Sequence, residues 1–527
     1  MFTSIYSGAV CGIEGQLVRV EADISDGFPS YSLVGYLASE VKEARERVSA
    51  ALKNSGFRLP SKKIIINLSP AGMRKQGTAY DLPIALSILG SLGVIPQEKL
   101  KFIFAAGELG LDGSLRPVKG ILPLILMARE KGITDCLVPL DNVKEASLAR
   151  LEEGRTVHII GVSDLKAACA CFLGGEAALE KGSHIQKGCA PLSWSRLCAR
   201  EKDTVQADSW DFSHIVGQEP LKRAIVAAVA GMHHLLMIGP PGSGKSMSAK
   251  AIRGILPPLS VKESMEVTRL YSVAGMLEKD HVLVTRPPFR SPHHTVPVKT
   301  MTGGGAIPVP GEISLAHRGI LFLDELAEFA PATLEVLRQP LEEGVITINR
   351  LHGNFVFPAG FMLVAAMNPC RCGYFPDRSR CQCTPADVYR YLHRVSRPLW
   401  NRIDVCVEVH PPVKGLAQEK AGLSSAVMAA QVKAARQIQE ERFRGTGIMF
   451  NSQMTGDMVK MYCFSSPEAA AYAAHLAEQM DLTMRAQYKL LKVARTLADL
   501  DGSEPVLERH MDEAVCYRMV EQSYWDF

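Results

Sequence analysis

The octapeptide Gly239-Pro240-Pro241-Gly242-Ser243-Gly244-Lys245-Ser246 constrains this chain more than any other segment. It follows the apolar run Leu235-Leu236-Met237-Ile238 and precedes a helical pattern beginning near Met247, so it joins a buried strand to a helix. Its glycines let backbone N–H groups close around an anion, and the helix N-terminus adds positive potential. In that setting Lys245 is expected to neutralise the β- and γ-phosphates of ATP and the Ser246 hydroxyl to ligate Mg2+; a glycine-rich turn with no ligand is the competing reading. A strand ending in such a loop belongs in a parallel sheet flanked by helices, which commits this stretch to an α/β fold.

Two further apolar runs suit the same sheet. Residues 319–323 end in Asp324 and Glu325, which places two carboxylates at the carboxyl edge of a buried strand. Asp324 is expected to hold Mg2+ through water, and Glu325 to activate the attacking water. Residues 361–367 end in Asn368, whose amide suits a contact to the γ-phosphate; a turn before Pro369 is the competing reading. Arg402, in RPLWNRIDV, and Arg485, at the start of RAQYKLLKVARTLADL, each offer a guanidinium for charge building on the transferred phosphoryl group. A lone arginine in a charged helix is more often a solvated surface group.

At 527 residues the chain divides into two to four domains, and 47% hydrophobic against 22% charged residues marks a folded one. Residues 1–173 alternate strand-like and helix-like patterns, as in the helical face of residues 40–53 before the apolar strand 63–68. Residues 174–210 lose periodicity and read as a linker. Residues 211–412 hold the nucleotide motifs, and 413–527, rich in Ala, Glu, Gln, Arg and Leu at helical spacing, read as a small helical domain. The apolar stretch 82–96 is too short for a membrane span and reads as a core helix. The start lacks the basic and apolar segments of a secretory signal, so a cytoplasmic location is expected. Thirteen cysteines then stay reduced, which turns attention to metal-ligand spacing. Cys370, Cys372, Cys381 and Cys383 form two C-x-C pairs, enough thiolates for a tetrahedral Zn2+ or simply four reduced thiols. The net charge of +4 decides nothing about a polyanionic partner.

The stretches RPPFRSPHHT, GGGAIPVPGEISLAHRGILFLDELAEF, LRQPLEEG and VAAMNPCRCG resemble the magnesium-chelatase-like AAA+ proteins of the bacterial ComM/YifB family, as do NLSPAGMRKQGTAYDLPIAL and MRAQYKLLKVARTLADL. The resemblance implies a hexameric ring with ATP sites between subunits. It makes Asn368 look like sensor 1, Arg402 like a finger reaching a neighbour's nucleotide, and Arg485 like sensor 2 in a helical lid. It also implies DNA as substrate, for a ring helicase promoting branch migration when incoming DNA recombines in natural transformation. Around the finger, Ser396-Arg397-Pro398 and Trp400-Asn401 depart from the family's Ser-Gly-Pro and Leu-Asp, which opens a share of the trans role to Arg394 or Arg397, while the surviving Arg-Ile-Asp context favours Arg402. The family carries a similar cysteine cluster.

Two insertions point into the ring in this clade. One carries Arg286, Arg290, His293, His294 and Lys299; the other, VITINRLHGNFVF, reads as a hairpin turning at residues 352–354, with Arg350 and His352 as candidate phosphate contacts. The competing reading is a solvated charged hairpin. At the front, GELGLDGSLRPVKGILPLILMAREKGITDCLVP resembles the proteolytic domain of Lon. Its nucleophile position falls at Ala79 and its lysine position at Leu122, with Thr78 one residue away. A Ser-Lys dyad is therefore absent, and a catalytically silent Lon-like module is expected, with Lys62, Lys63, Arg74 and Lys75 as contact candidates. The expected whole is a Lon-like α/β domain, an AAA+ core and a helical lid. Its rivals are a magnesium-chelatase-like protein-remodelling ATPase and an ATP-dependent protease.

Overall fold

Leu235–Ile238, Ile320–Leu323 and Met362–Met367 are apolar and buried at every position, the pattern of strands covered on both faces. The computed structural model describes residues 1–152, 154–173, 185–187, 210–278, 281–305, 308–350, 353–410, 423–464 and 467–525.

The front of the chain builds an eight-stranded mixed sheet from β1 (Phe2–Cys11), β2 (Glu14–Ser25), β3 (Ser30–Val34), β4 (Lys63–Ser69), β5 (Ile103–Ala105), β6 (Asp135–Pro139), β7 (His158–Val162) and β8 (Ile185–Lys187), in the order β8-β7-β6-β5-β1-β2-β4-β3. Helices Asp81–Ser91 and Ile121–Glu130 contribute to its cores. The helix read at 82–96 is real but stops at Ser91, and Gly93 follows with φ 74°. Residues 40–53 form two helices, Ser39–Lys42 and Ala44–Asn54, joined at Glu43.

The central sheet contains β9 (Leu235–Ile238), β10 (Phe289–Arg290), β11 (Ile320–Leu323), β14 (Met362–Met367) and β15 (Val405–Glu408), all parallel, in the order β10-β11-β14-β9-β15. Between β11 and β14 the chain makes the hairpin β12 (Val345–Arg350) and β13 (Gly353–Pro358). Arg350 pairs with Gly353 and Asn349 with Asn354, so 353 and 354 lie in the second strand rather than in the turn. Leu351 and His352 lie outside the described residues.

Alternation along the strands divides the core. Leu235, Met237, Ile320, Phe322, Val364 and Val405 face helix Glu219–Gly231 and the C-terminal helices. Leu236, Ile238, Leu321, Leu323, Leu363 and Ala365 face a second cluster that includes the hairpin, Cys370 and Trp400. The described part of the C-terminal region is helical: Ser425–Arg442, Gly456–Cys463, Pro467–Gln479, Met484–Leu500 and Glu508–Trp525. Residues 411–422 and most of 174–210, where the domain boundaries were expected, lie outside the described residues.

The front sheet docks on helix Val261–Ala274 of the central region. Ser272 Oγ donates to the buried carboxylate of Glu145 at 2.6 Å, Arg269 pairs with Glu152, and Met265 joins the apolar cluster of Ile121 and Ile125. Among the described residues no helix is long and apolar enough to cross a membrane.

Candidate nucleotide site

Strand β9 delivers its carboxyl end to the loop 239–244, and helix Lys245–Ala251 begins at once. Gly242 and Gly244 hold φ of 76° and 91°, conformations that turn successive backbone groups into a cradle. The Lys245 side chain folds back over this loop. Its Nζ donates to Gly239 O at 2.7 Å, Pro240 O at 2.8 Å and Asn368 Oδ1 at 3.2 Å, and the residue is only 8% exposed. Burial lowers the Lys245 pKa to about 8, against the opposing pull of Asp324. A buried ammonium held by neutral oxygens is a group awaiting an anion.

Strand β11 ends beside the loop. Ser246 Oγ donates to Asp324 Oδ2 at 2.6 Å, and the Glu325 N–H donates to Asp324 Oδ1 at 3.0 Å. This hydroxyl–carboxylate pair is a hard-oxygen set suited to Mg2+ bound beside phosphates. Glu325 follows in a left-handed conformation, φ 53°, with its carboxylate 57% exposed. Such backbone is costly for a residue with a side chain, and it turns Glu325 out of the strand. Strand β14 lies between β9 and β11 and brings Asn368 against Lys245. Lys245, Ser246, Asp324, Glu325 and Asn368 thus converge at the carboxyl ends of adjacent parallel strands.

The arginines do not join them. Arg402 and Asp404 precede β15, and the Asp404 N–H bonds His234 O just ahead of β9, so this is the amino edge of the same sheet. Arg402 and Arg485 meet there on Glu342, in a cavity of about 590 Å³ that also holds Asp404, Lys489 and Lys492 but no residue of the phosphate loop. Four strand residues span about 13 Å. Within one chain neither Arg402, expected as a finger for a neighbour's nucleotide, nor Arg485, expected as sensor 2 in a helical lid, reaches the phosphate loop. Of the rival fingers, Arg394 pairs with Glu328 at 2.9 Å.

Two of the proposed DNA contacts are engaged elsewhere. Arg290 forms a two-pronged ion pair with Glu312, both bonds at 2.7 Å, and is partly buried, so it serves the fold. His294 turns towards the nucleotide residues, with Nδ1 3.4 Å from Glu325 Oε2 and its ring edge-on to Phe329. Sequence reasoning missed this neighbour because nothing in the local pattern links the two positions. Arg286, His293, Lys299 and Arg350 remain exposed. His352 lies outside the described residues. Lys75, a contact candidate in the front sheet, is fully buried and donates to Pro70 O.

The four cysteines of residues 370–383 assemble. Their Sγ atoms all lie within 4.8 Å of one another, with Cys370–Cys372 at 3.3 Å, Cys372–Cys381 at 3.6 Å and Cys370–Cys381 at 3.8 Å. A tetrahedron of thiolates about 2.3 Å from zinc has edges of about 3.8 Å, so the set fits that ion. The loop carrying them backs the phosphate loop: a Cβ on Gly373 would stand 2.4 Å from Pro241 Cδ.

A parallel sheet whose phosphate-loop strand and Asp-Glu strand are separated by the strand bearing Asn368 has the arrangement of an AAA+ P-loop core. The family descriptions "Magnesium chelatase, subunit ChlI", "Subunit ChlI of Mg-chelatase" and "Magnesium chelatase, subunit ChlI C-terminal" match residues 211–416, 20–142 and 422–518. The chain is 39% identical over 521 residues to the uncharacterized protein YifB of Escherichia coli and 37% identical over 516 residues to the competence protein ComM of Haemophilus influenzae. Each alignment covers 98% of this chain and 97% of the relative. It is 28% identical over 174 residues to the magnesium-chelatase 38 kDa subunit of Cereibacter sphaeroides, covering 30% of this chain and 52% of that one. The chain belongs to the ComM/YifB family of magnesium-chelatase-like proteins.

Proposed function

We propose that this chain is an ATP-hydrolysing motor that works as a hexameric ring, each site being completed by the neighbouring copy, and that it drives branch migration on DNA during recombination of incoming strands. The observation that carries the ring reading is the division of one sheet: loop, carboxylates and Asn368 at its carboxyl edge, Arg402 and Arg485 at its amino edge. Arginines so placed serve a phosphate only in trans, and head-to-tail packing of identical copies presents one edge to the other.

In this reading the loop amides and Lys245 hold the β- and γ-phosphates, and Ser246 and Asp324 hold Mg2+. Mg2+ held there would supply positive charge against the phosphate oxygens. Asn368 aligns the terminal phosphate. Water attacks the γ-phosphorus, the bond to the β–γ bridging oxygen breaks, and Glu325 takes the proton that water loses. Arg402 and Arg485 of the adjoining copy neutralise charge as it develops.

The DNA reading rests on the competence protein among the relatives and on the exposed cations of the two inserted segments. Arg350 Nη2 lies 3.1 Å from where a Cβ on Gly304 would stand, and Lys299 flanks the same glycine, so hairpin and first insertion share one basic tip. Such contacts address phosphates without reading sequence. The front sheet is a silent Lon-like module in this account: Leu122 is buried in helix Ile121–Glu130, and the Thr78 hydroxyl is bonded to Glu108 rather than to a lysine. Cys370, Cys372, Cys381 and Cys383 hold a structural Zn2+ behind the phosphate loop. A protein-remodelling motor is the second reading, favoured by the three chelatase matches.

ATPase rates measured with single-stranded, duplex and four-way DNA test the choice. Stimulation by branched DNA, with strand movement lost in Lys245→Ala, supports the helicase. Indifference to every DNA favours remodelling.

A further inference from the structure

Glu342 stands between the two arginines and the hairpin. Its Oε1 accepts from Arg402 Nη2 at 2.7 Å and also from Arg485 Nη2. It lies on helix Arg338–Glu343, which ends at Gly344 with φ 67° and runs directly into β12. The Ala359 N–H then closes the base of the hairpin on Gly344 O at 2.7 Å. One carboxylate therefore ties both guanidiniums to the root of β12 and β13.

The tie is electrostatically incomplete. Two cations share one carboxylate oxygen, and Arg402, only 7% exposed, keeps a buried Nε with no hydrogen-bond partner among the described residues. Its Nη1 is occupied by Pro398 O at 2.5 Å. The terminal phosphate of a nucleotide carries more charge than a carboxylate and matches the guanidinium fork, so it competes for both arginines.

We propose that Glu342 couples the neighbouring subunit's nucleotide to the hairpin: it holds Arg402 and Arg485 until a triphosphate takes them, and its release loosens the root of β12 and β13. The coupling rests on the trans placement of the arginines proposed above. Glu342 is a positioning residue, since it touches the arginines and not the phosphate. Nucleotide state in one copy thereby reaches the segment that faces the substrate in the next, through a single bistable ion cluster.

Amide hydrogen exchange of β12 and β13 in the assembled full-length protein, with and without a non-hydrolysable ATP analogue, tests this. In the parent the analogue should speed exchange by roughly fivefold, as expected when charge-assisted bonds anchoring the hairpin root are lost. Glu342→Gln should exchange without nucleotide as fast as the parent does with it, and the analogue should add nothing further. Arg485→Ala, at a side chain 54% exposed and outside the apolar core, should reproduce that uncoupling. A parent hairpin that binds the analogue without responding overturns the coupling while leaving the nucleotide site intact. So does a Glu342→Gln hairpin that still responds by the parent's factor. A parent that binds no analogue overturns both readings.

Discussion

The His294 Nδ1 atom lies 3.4 Å from Glu325 Oε2, so the carboxylate proposed to activate water has as its neighbour an imidazole from the segment between the phosphate loop and Asp324. Glu325→Gln should leave ATP binding intact and lower kcat by roughly 100-fold or more, because the amide cannot accept the proton. His294→Ala should lower kcat by roughly tenfold at unchanged KM, since it aims the base without touching the nucleotide. Steady-state ATPase kinetics separate the two; equal kcat in His294→Ala and the parent removes His294 from the site.

The Lys245 ammonium gives a pH signature. Its folded pKa, lowered by burial to about 8, lies below the usual 10.5. Folding therefore releases a proton between these values, and stability from this group rises with pH across that window. Bound phosphate favours the charged form, so ATP binding should take up about one proton above pH 8, and affinity should fall as pH rises through that value. Calorimetric titration in buffers of different ionisation enthalpy reads the proton directly; pH-independent affinity from 7 to 9.5 would remove the lysine from the phosphate.

Placement of Arg402 and the loop at opposite edges of one sheet predicts complementation. Lys245→Ala cannot bind in its own loop, and Arg402→Ala cannot serve its neighbour, so each pure variant should lose nearly all turnover. Mixed rings contain junctions pairing an intact loop with an intact arginine and should regain a measurable fraction of parental ATPase activity. A mixture no more active than its components contradicts the trans assignment.

For the cysteine cluster, purified protein should carry about one zinc per chain by metal analysis. Cys381→Ser should lose it and lower Tm by ~5 °C, and should weaken ATP binding because Gly373 backs Pro241. Metal-free protein with parental stability and ATP affinity returns the four residues to ordinary thiols.

Much of the nucleotide site was legible because it sits on strands buried on both faces. Continuous apolar runs at Leu235, Ile320 and Met362 announce such strands, and the polar residue ending each run marks the edge where ligands collect. The cysteine pairs were legible from spacing alone. Arg485 was not, because helix periodicity fixes which face is buried and says nothing about which end of a sheet the helix meets; its partner Glu342 lies on another element. Arg290 misled for a related reason. A cation beside a histidine pair reads as an anion contact until Glu312, on a separate helix, is seen to neutralise it. The short strands β10 and β15 carry too few residues for a period to show.

Everything turns on the loop that ends at Ser246. Equilibrium binding and hydrolysis of ATP by the purified protein with Mg2+, beside Lys245→Ala, tests it most directly. The account predicts that the parent binds and turns over ATP and that the variant loses both by roughly 100-fold or more. A parent that neither binds nor hydrolyses ATP, or a variant that matches it, contradicts the account.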